Sequence, residues 1–307
     1  MSSKPHLMNV VAGLLLGFSP SVWAAPEVLG ADQTAMGGVS LAADTSNAAI
    51  TTNPGLLALN RRYDFSAQFG VGPSTGLHWA AGGMDGRTSD AVALGFMYAG
   101  DRWEPPLQTA ELPGWWEVGE RIPNMKRQHD FILALSTPLV RDRLAVGLGG
   151  YVTTYNNDRN GKGTTGNLDA GLGWKVSEFV TVGASGNNLL PFDPLSQRPL
   201  QVGTGVRVHG PLASIEVDGG YQDGSGDGPP MFVASGLEWA PRAARIRGGY
   251  RWEGATNQSI VTAGLGVYSE GGAFEYGVDI PIGGGWWGLA HVIGLRFGAP
   301  PALVPPE

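Results

Sequence analysis

The chain of 307 residues contains no cysteine. That removes thiol nucleophiles, disulfide staples and thiolate metal sites together. No apolar run of spanning length follows the N-terminal stretch, and the mean hydropathy is −0.04. A transmembrane helix needs about 20 apolar residues, so a helical inner-membrane protein is excluded. Charge is sparse, with 20 Lys and Arg against 27 Asp and Glu and a net charge of −7. A nucleic-acid partner calls for a basic footprint, and none is present. The five histidines are His6, His78, His129, His209 and His291. No His/Asp/Glu cluster has metal-ligand spacing, so neither metal nor other cofactor is expected. The run from Asn156 to Gly161 imitates a calcium loop but lacks its full pattern and terminal Glu; it reads as a solvated turn. His129, Asp130 and Ser136 form the one tempting hydrolase set. No nucleophile-elbow motif holds them together. They read as rim and wall residues, and the chain as a non-enzyme.

What is abundant is glycine, 49 residues, together with 10 Trp. Collagen needs a strict glycine period, which is missing. These glycines sit inside strand-like stretches such as AVGLGGYV and VTAGLGVY. Strand glycines mark bends or close approach and suit the inward positions of a tightly curved barrel.

From about residue 62 to residue 298 the chain alternates with period two, the strand signature. Tyr63, Phe65, Ala67 and Phe69 share one face, and Asp64, Ser66 and Gln68 the other. Phe131, Leu133 and Leu135 repeat the pattern, as do Leu144, Val146 and Leu148. Fourteen such segments are predicted, with twelve as the alternative because the second and third alternate weakly. A closed antiparallel barrel is the all-β way across a membrane. The fold class is therefore all-β, a 14-stranded transmembrane barrel.

Charge placement separates this from a soluble sandwich. Asp169, Glu216, Asp218, Glu238, Glu275 and Asp279, with Lys175, Arg207, Arg245, Arg247, Arg251 and Arg296, alternate with the apolar residues. On a lipid face each would cost about 2–4 kcal/mol at mid-depth, so they are predicted to line the lumen. Trp79, Tyr98, Trp174, Trp239, Trp252 and Trp287 suit interfacial girdles. Most connections predicted to face outward are longer than those at the opposite end. Two of the outward turns are expected over 156–165 and 100–126.

The N-terminal residues read as a signal peptide over 1–24, with Lys4, an apolar run from Val10 to Phe18, and Val22 and Ala24 before the cut. Residues 25–61 read as a segment folded inside the lumen. Ser46 and Asn47 are placed to cap a short helix through Ala48–Thr51. Asn53, Pro54 and Gly55 signal a turn. Residues 299–307 form a periplasmic tail.

The stretch TAMGGVSLAADTSNAAITTNPGLLAL resembles the N-terminal signature of FadL-like outer-membrane barrels, and more closely that of their PorV/PorQ-type relatives. Its parts are Met36, Gly37 and Gly38, then Asp44, then Asn53-Pro54-Gly55. GASGNNLLPFDPLSQRPLQVGTGVRV and HVIGLRFG add weaker matches. The resemblance implies a 14-stranded barrel in the bacterial outer membrane whose N-terminal segment enters the lumen. It implies passage of small hydrophobic molecules, or a PorV-type role in secretion or surface attachment with a secretion-system protein as partner. Outer-membrane lipids and the barrel-assembly machinery are the other partners it implies. The chain departs from both groups in its mostly short outward loops and in the residues after Phe297, where a terminal aromatic would stand. The long loop carrying Trp103, Trp115 and Trp116 is expected to be either a site of ligand capture or a lid packed on the barrel mouth, and in both cases to control access to the lumen.

Overall fold

The computed structural model describes residues 30–43, 47–72, 76–103, 126–157, 161–190, 200–223, 228–282 and 289–298. The expected signal peptide, Asp44, Ser46, Trp115, Trp116, Trp287 and the tail at 299–307 lie outside them.

Fourteen antiparallel strands close into one barrel. They begin with β1 (Tyr63–Gly72), β2 (Gly76–Asp85), β3 (Ala93–Trp103), β4 (Lys126–Val140) and β5 (Leu144–Asn157). Next come β6 (Gly161–Lys175), β7 (Val180–Asn187), β8 (Gln201–His209), β9 (Ala213–Gln222) and β10 (Met231–Trp239). The last four are β11 (Ala244–Glu253), β12 (Gln258–Ser269), β13 (Gly272–Pro281) and β14 (Ala290–Phe297). Closure comes from β1 against β14, with Phe65 opposite Phe297 and Val71 opposite His291. The count is fourteen, not twelve. β2 and β3 pair in full register despite their weak alternation, from Leu77 opposite Arg102 to Asp85 opposite Leu94.

The barrel is inside-out relative to a soluble protein. Along β12, Val261, Leu265 and Val267 point outward while Thr262, Gly264, Gly266 and Tyr268 point inward. Leu133 and Leu148 are 69 % and 66 % exposed, whereas Glu216 is 0 % exposed. Such a face is stable only against hydrocarbon, so the strands span a membrane. Trp79, Trp174, Trp239 and Trp252 lie on the outward face near strand ends, whereas Tyr98, also outward, sits at the middle of β3. One end of the barrel carries the start of β1, the end of β14 and the connections 86–92, 141–143, 176–179, 210–212, 240–243 and 270–271. The other, the loop end, carries the remaining connections.

Two predicted turns are shorter than expected. β5 and β6 continue to Asn157 and from Gly161, so the connection is 158–160 rather than 156–165. Thr153 opposite Thr165 and Thr154 opposite Thr164 extend the ladder, as β-branched residues do. β3 also runs on to Trp103, leaving 104–125 as the connection. At the other end β4 passes Pro138 and ends at Val140, with a register shift between these two. Proline has no N–H to give the ladder, and a bulge absorbs the break.

An arginine at mid-depth on the outward face should be costly. Leu135→Arg is expected to lower stability by about 2–4 kcal/mol, and Thr154→Arg near the rim by about 0–1 kcal/mol. Denaturant titration in lipid vesicles checks the difference.

Candidate functional site: a filled lumen

Residues 30–43 and 47–60 lie against the inward faces of the strands. A short helix, α1 (Ala31–Ala35), rests mainly on β12 and β13. Two 3₁₀ segments follow, Asn47–Ile50 and Pro54–Leu59. The short helix expected through Ala48–Thr51 is a 3₁₀ turn over Asn47–Ile50, and Asn-Pro-Gly opens a second one rather than a simple reversal. Pro54 occupies the first position, where its missing N–H costs nothing. Asn53 caps it by accepting from the Gly55 N–H at 3.1 Å.

The inward glycines are the bed for this segment. A Cβ on Gly183 would collide with the Leu41 carbonyl oxygen, one on Gly171 with Asn53 Oδ1, and one on Gly249 with the Met36–Gly37 peptide. Gly37 itself has φ +77° and lies with no room for a side chain against Ser235 and Tyr250. Left-handed backbone in that space admits only glycine.

The barrel wall supplies hydrogen bonds to this irregular backbone. Asp218 accepts from the Ser40 and Leu41 N–H groups at 2.7 and 3.0 Å, and Glu216 accepts from Ala42 at 2.9 Å. Thr262 donates to the Ala35 carbonyl at 3.0 Å, Lys175 to that of Leu59 at 3.0 Å and Ser136 to that of Gly55 at 3.2 Å. Asn53, 0 % exposed, donates to the carbonyls of Leu41 at 2.7 Å and Leu172 at 3.0 Å. One carboxamide therefore ties two parts of the luminal segment to each other and to β6.

The predicted lumen charges divide into groups. Most form one network across β8–β14. Arg207 meets Glu216 at 3.5 Å and Glu238 at 3.7 Å; Glu238 meets Arg245 at 3.0 Å and Arg247 at 2.8 Å. Arg247 reaches Glu275 at 3.2 Å, and Arg296 reaches Asp32 at 2.9 Å and Glu275 at 3.7 Å. Arg251 pairs separately with Asp279 at 3.3 Å and Glu253 at 3.0 Å. Asp169 stands apart on β6, accepting from the Asn188 N–H at 2.8 Å. Asp32, Asp64 and Tyr268 complete the main network and were not anticipated. Asp64 was visible on the polar face of the first strand, whereas nothing in the sequence tied Asp32 of the leader to Arg296 of the last strand.

The opposite wall carries an apolar cluster, with the polar Gln128, Asp130 and Thr153 on the inward face nearer the loop end. Ala80, Met84, Ala93, Met97, Ala99, Ile132, Ala134 and Ala145 pack with Ile50, Leu56, Leu57 and Leu59. Of the predicted gate residues, Met36, Gly37 and Gly38 follow α1 beside β10 and β11, while Asn53, Pro54 and Gly55 sit over β5, β6 and β7. Trp103 ends β3 opposite Lys126. Below the luminal segment, Arg61 meets Asp90 and Asp142 at the terminal rim. Its guanidinium hydrogen bond holds the Asp90 carboxyl below the usual carboxylate range.

His129 and Asp130 face opposite ways. The His129 ring lies with Tyr98 and Trp79 outside, and Asp130 accepts from Gln128 and Thr153 inside. Period two forbids these neighbours a shared site.

No protein-family model and no curated protein sequence matches the chain. Solved structures do match. The Ralstonia pickettii toluene transporter TbuX superposes with a TM-score of 0.62 at 14% identity, over 89% of this chain and 99% of that one. The monoaromatic hydrocarbon channel CymD gives 0.61 at 10% identity, over 88% and 97%. The P. putida toluene transporter TodX gives 0.60 at 11% identity, over 89% and 99%. This chain shares the fold of these hydrocarbon channels. At such identity the likeness establishes the barrel fold and transfers no residue role.

Removing the carboxylate that holds the luminal segment should free it. Asp218→Ala strands the Ser40 and Leu41 N–H groups at a cost of about 1–3 kcal/mol, and Gly183→Val displaces Leu41 sterically. Both variants should become protease-sensitive over residues 38–43 while the barrel keeps its folded electrophoretic mobility.

Proposed function

We propose that this protein is a bacterial outer-membrane barrel that passes small hydrophobic molecules, with its luminal segment as the gate. The observation that carries the reading is the two-sided lumen. An apolar wall on β2–β6 is covered by Leu56, Leu57 and Leu59, residues a small hydrophobic molecule could replace contact for contact. The likeness to toluene and hydrocarbon channels supports it at the level of fold. A water-filled general pore fits less well, because the segment occupies the lumen and its backbone is held by Asp218, Glu216, Asn53 and Lys175.

The proposed sequence of events is capture at the loop end, by the loop bearing Trp115 and Trp116 that follows Trp103 at the end of β3. Entry then proceeds past Asn53-Pro54-Gly55 and along the apolar wall. The gate elements are Met36, Gly37, Gly38 and Asp44 together with that turn. Channel and transporter neighbours are compatible with a protein that carries out no covalent chemistry.

Deleting residues 31–59 should raise single-channel conductance in planar bilayers and change uptake of a labelled monoaromatic hydrocarbon by cells. Unchanged conductance and uptake would sink the gate. Independently, native mass spectrometry of the detergent-purified protein should show a bound hydrophobic compound that is lost in the Trp115→Ala/Trp116→Ala variant. A ligand-free protein that co-purifies with one stoichiometric protein would favour the PorV-type role instead.

A further inference from the structure

The outward face of β4–β6 carries a polar cap at the loop end. Register places Arg127 opposite Asn156, and Asn156 opposite Lys162. These three positions form one row across three adjacent strands, two of them basic, in a chain whose net charge is −7. Arg127, Asn156 and Lys162 are exposed. The row beneath holds Gly100, His129, Thr154 and Thr164, and the next holds Tyr98, Phe131, Val152 and Gly166. Among the described residues, no acid shares this face above Phe131.

Depth follows from strand geometry. Arg127 lies four residues along β4 from Phe131. At about 3.3 Å per residue and a tilt near 40°, it stands about 10 Å above the ring's level. Phe131 is 56 % exposed and Leu133 69 %, so the hydrocarbon boundary falls near Phe131. The Trp79, Tyr98 and His129 cluster sits just above it, with the Tyr98 hydroxyl and His129 Nδ1 2.7 Å apart. The basic row is then level with lipid headgroups. Arg127 and Lys162 are two strands apart, about 10 Å between backbones, close enough to serve one large headgroup.

We propose that this rim binds the phosphate groups of an anionic membrane lipid, a phosphorylated glycolipid of the leaflet that the loop end meets. Arg127 supplies a planar fork for phosphate oxygens and Lys162 a point charge. Asn156, Thr154 and Thr164 offer hydrogen bonds to sugar hydroxyls, and the apolar band below receives the acyl chains. The lengths of β4, β5 and β6 give the row its purpose: these strands carry the two polar rows beyond the apolar band. The inference concerns the outer wall and holds whatever passes through the lumen.

The test is native mass spectrometry of the purified full chain titrated with bisphosphorylated lipid A, its dephosphorylated form, and phosphatidylethanolamine. A one-to-one adduct with lipid A is expected. Affinity should fall at least tenfold in the Arg127→Ala/Lys162→Ala variant, and not in Arg143→Ala at the opposite end. Dephosphorylated lipid A should bind wild type at least tenfold more weakly, and added salt should weaken the phosphorylated adduct. Equal binding of the two lipid A forms by wild type would overturn the proposal, as would equal binding of lipid A by the double variant. The first comparison stands even where the variant fails to fold. A protein adduct mapped to this row, with no lipid preference, would also overturn it.

Discussion

Hydrocarbon offers no partner to a backbone N–H or C=O, and the rest of this structure depends on that constraint. It forces the ladder to close, which β1 and β14 accomplish over Phe65–Val71. Closure by fourteen strands then creates a second difficulty, an interior too wide for the wall side chains alone to fill. The N-terminal segment fills it. Being irregular, the segment brings its own unpaired backbone groups into a site poor in water, and the wall must supply partners strand by strand. Asp218, Glu216, Thr262, Lys175 and Ser136 do so. The acids among them are in turn balanced by Arg207 and its neighbours, because a buried unpaired carboxylate would cost several kcal/mol. The arginine network on β8–β14 thus follows from the closed wall through the segment that the wall encloses.

Glycine content has the same origin. At Gly171, Gly183 and Gly249 the luminal backbone approaches the wall so closely that a methyl group would meet it. Leu172, Val182 and Tyr250, which follow or precede them on the outward face, are larger, since nothing restricts them there. High glycine and alternating hydrophobicity are two consequences of one arrangement.

The wall was legible in the sequence because period two survives in a single strand: Phe65, Phe131 and Leu148 announce their face without reference to any other strand. Inward placement of Glu216, Asp218 and Arg247 followed from the same rule. Strand ends were less legible. Thr153–Asn157 and Gly161–Thr165 look like a polar turn, and only their mutual pairing makes them strand. Least legible was the luminal segment. Helix α1 spans Ala31–Ala35, too short to show a period. The pairing of Asp32 with Arg296 joins residues 264 apart in sequence, and no local signal encodes it. The apolar wall also escaped notice, because Ala80, Met97 and Ala134 lack the polar character by which inward faces were recognised.

The two halves of the luminal segment are held by different physics. Residues 31–42 rest on carboxylates and, through Asp32, on the arginine network. Leaving that position would strand buried charge, and no apolar solute could compensate it. Residues 47–59 rest chiefly on Leu, Ile and Met contacts and on neutral hydrogen bonds through Asn47, Asn53 and Ser136, with the Lys175 ammonium on the Leu59 carbonyl at their end. A neutral bond contributes about 0.5–1.5 kcal/mol net. An apolar molecule can regain the packing that these side chains give up. Under the proposed function, the part to yield would therefore be the one bearing Asn53-Pro54-Gly55, with residues 31–42 as its anchor. Asn53 marks the division, since its carboxamide joins Leu41 of the anchored half to Leu172 of the wall.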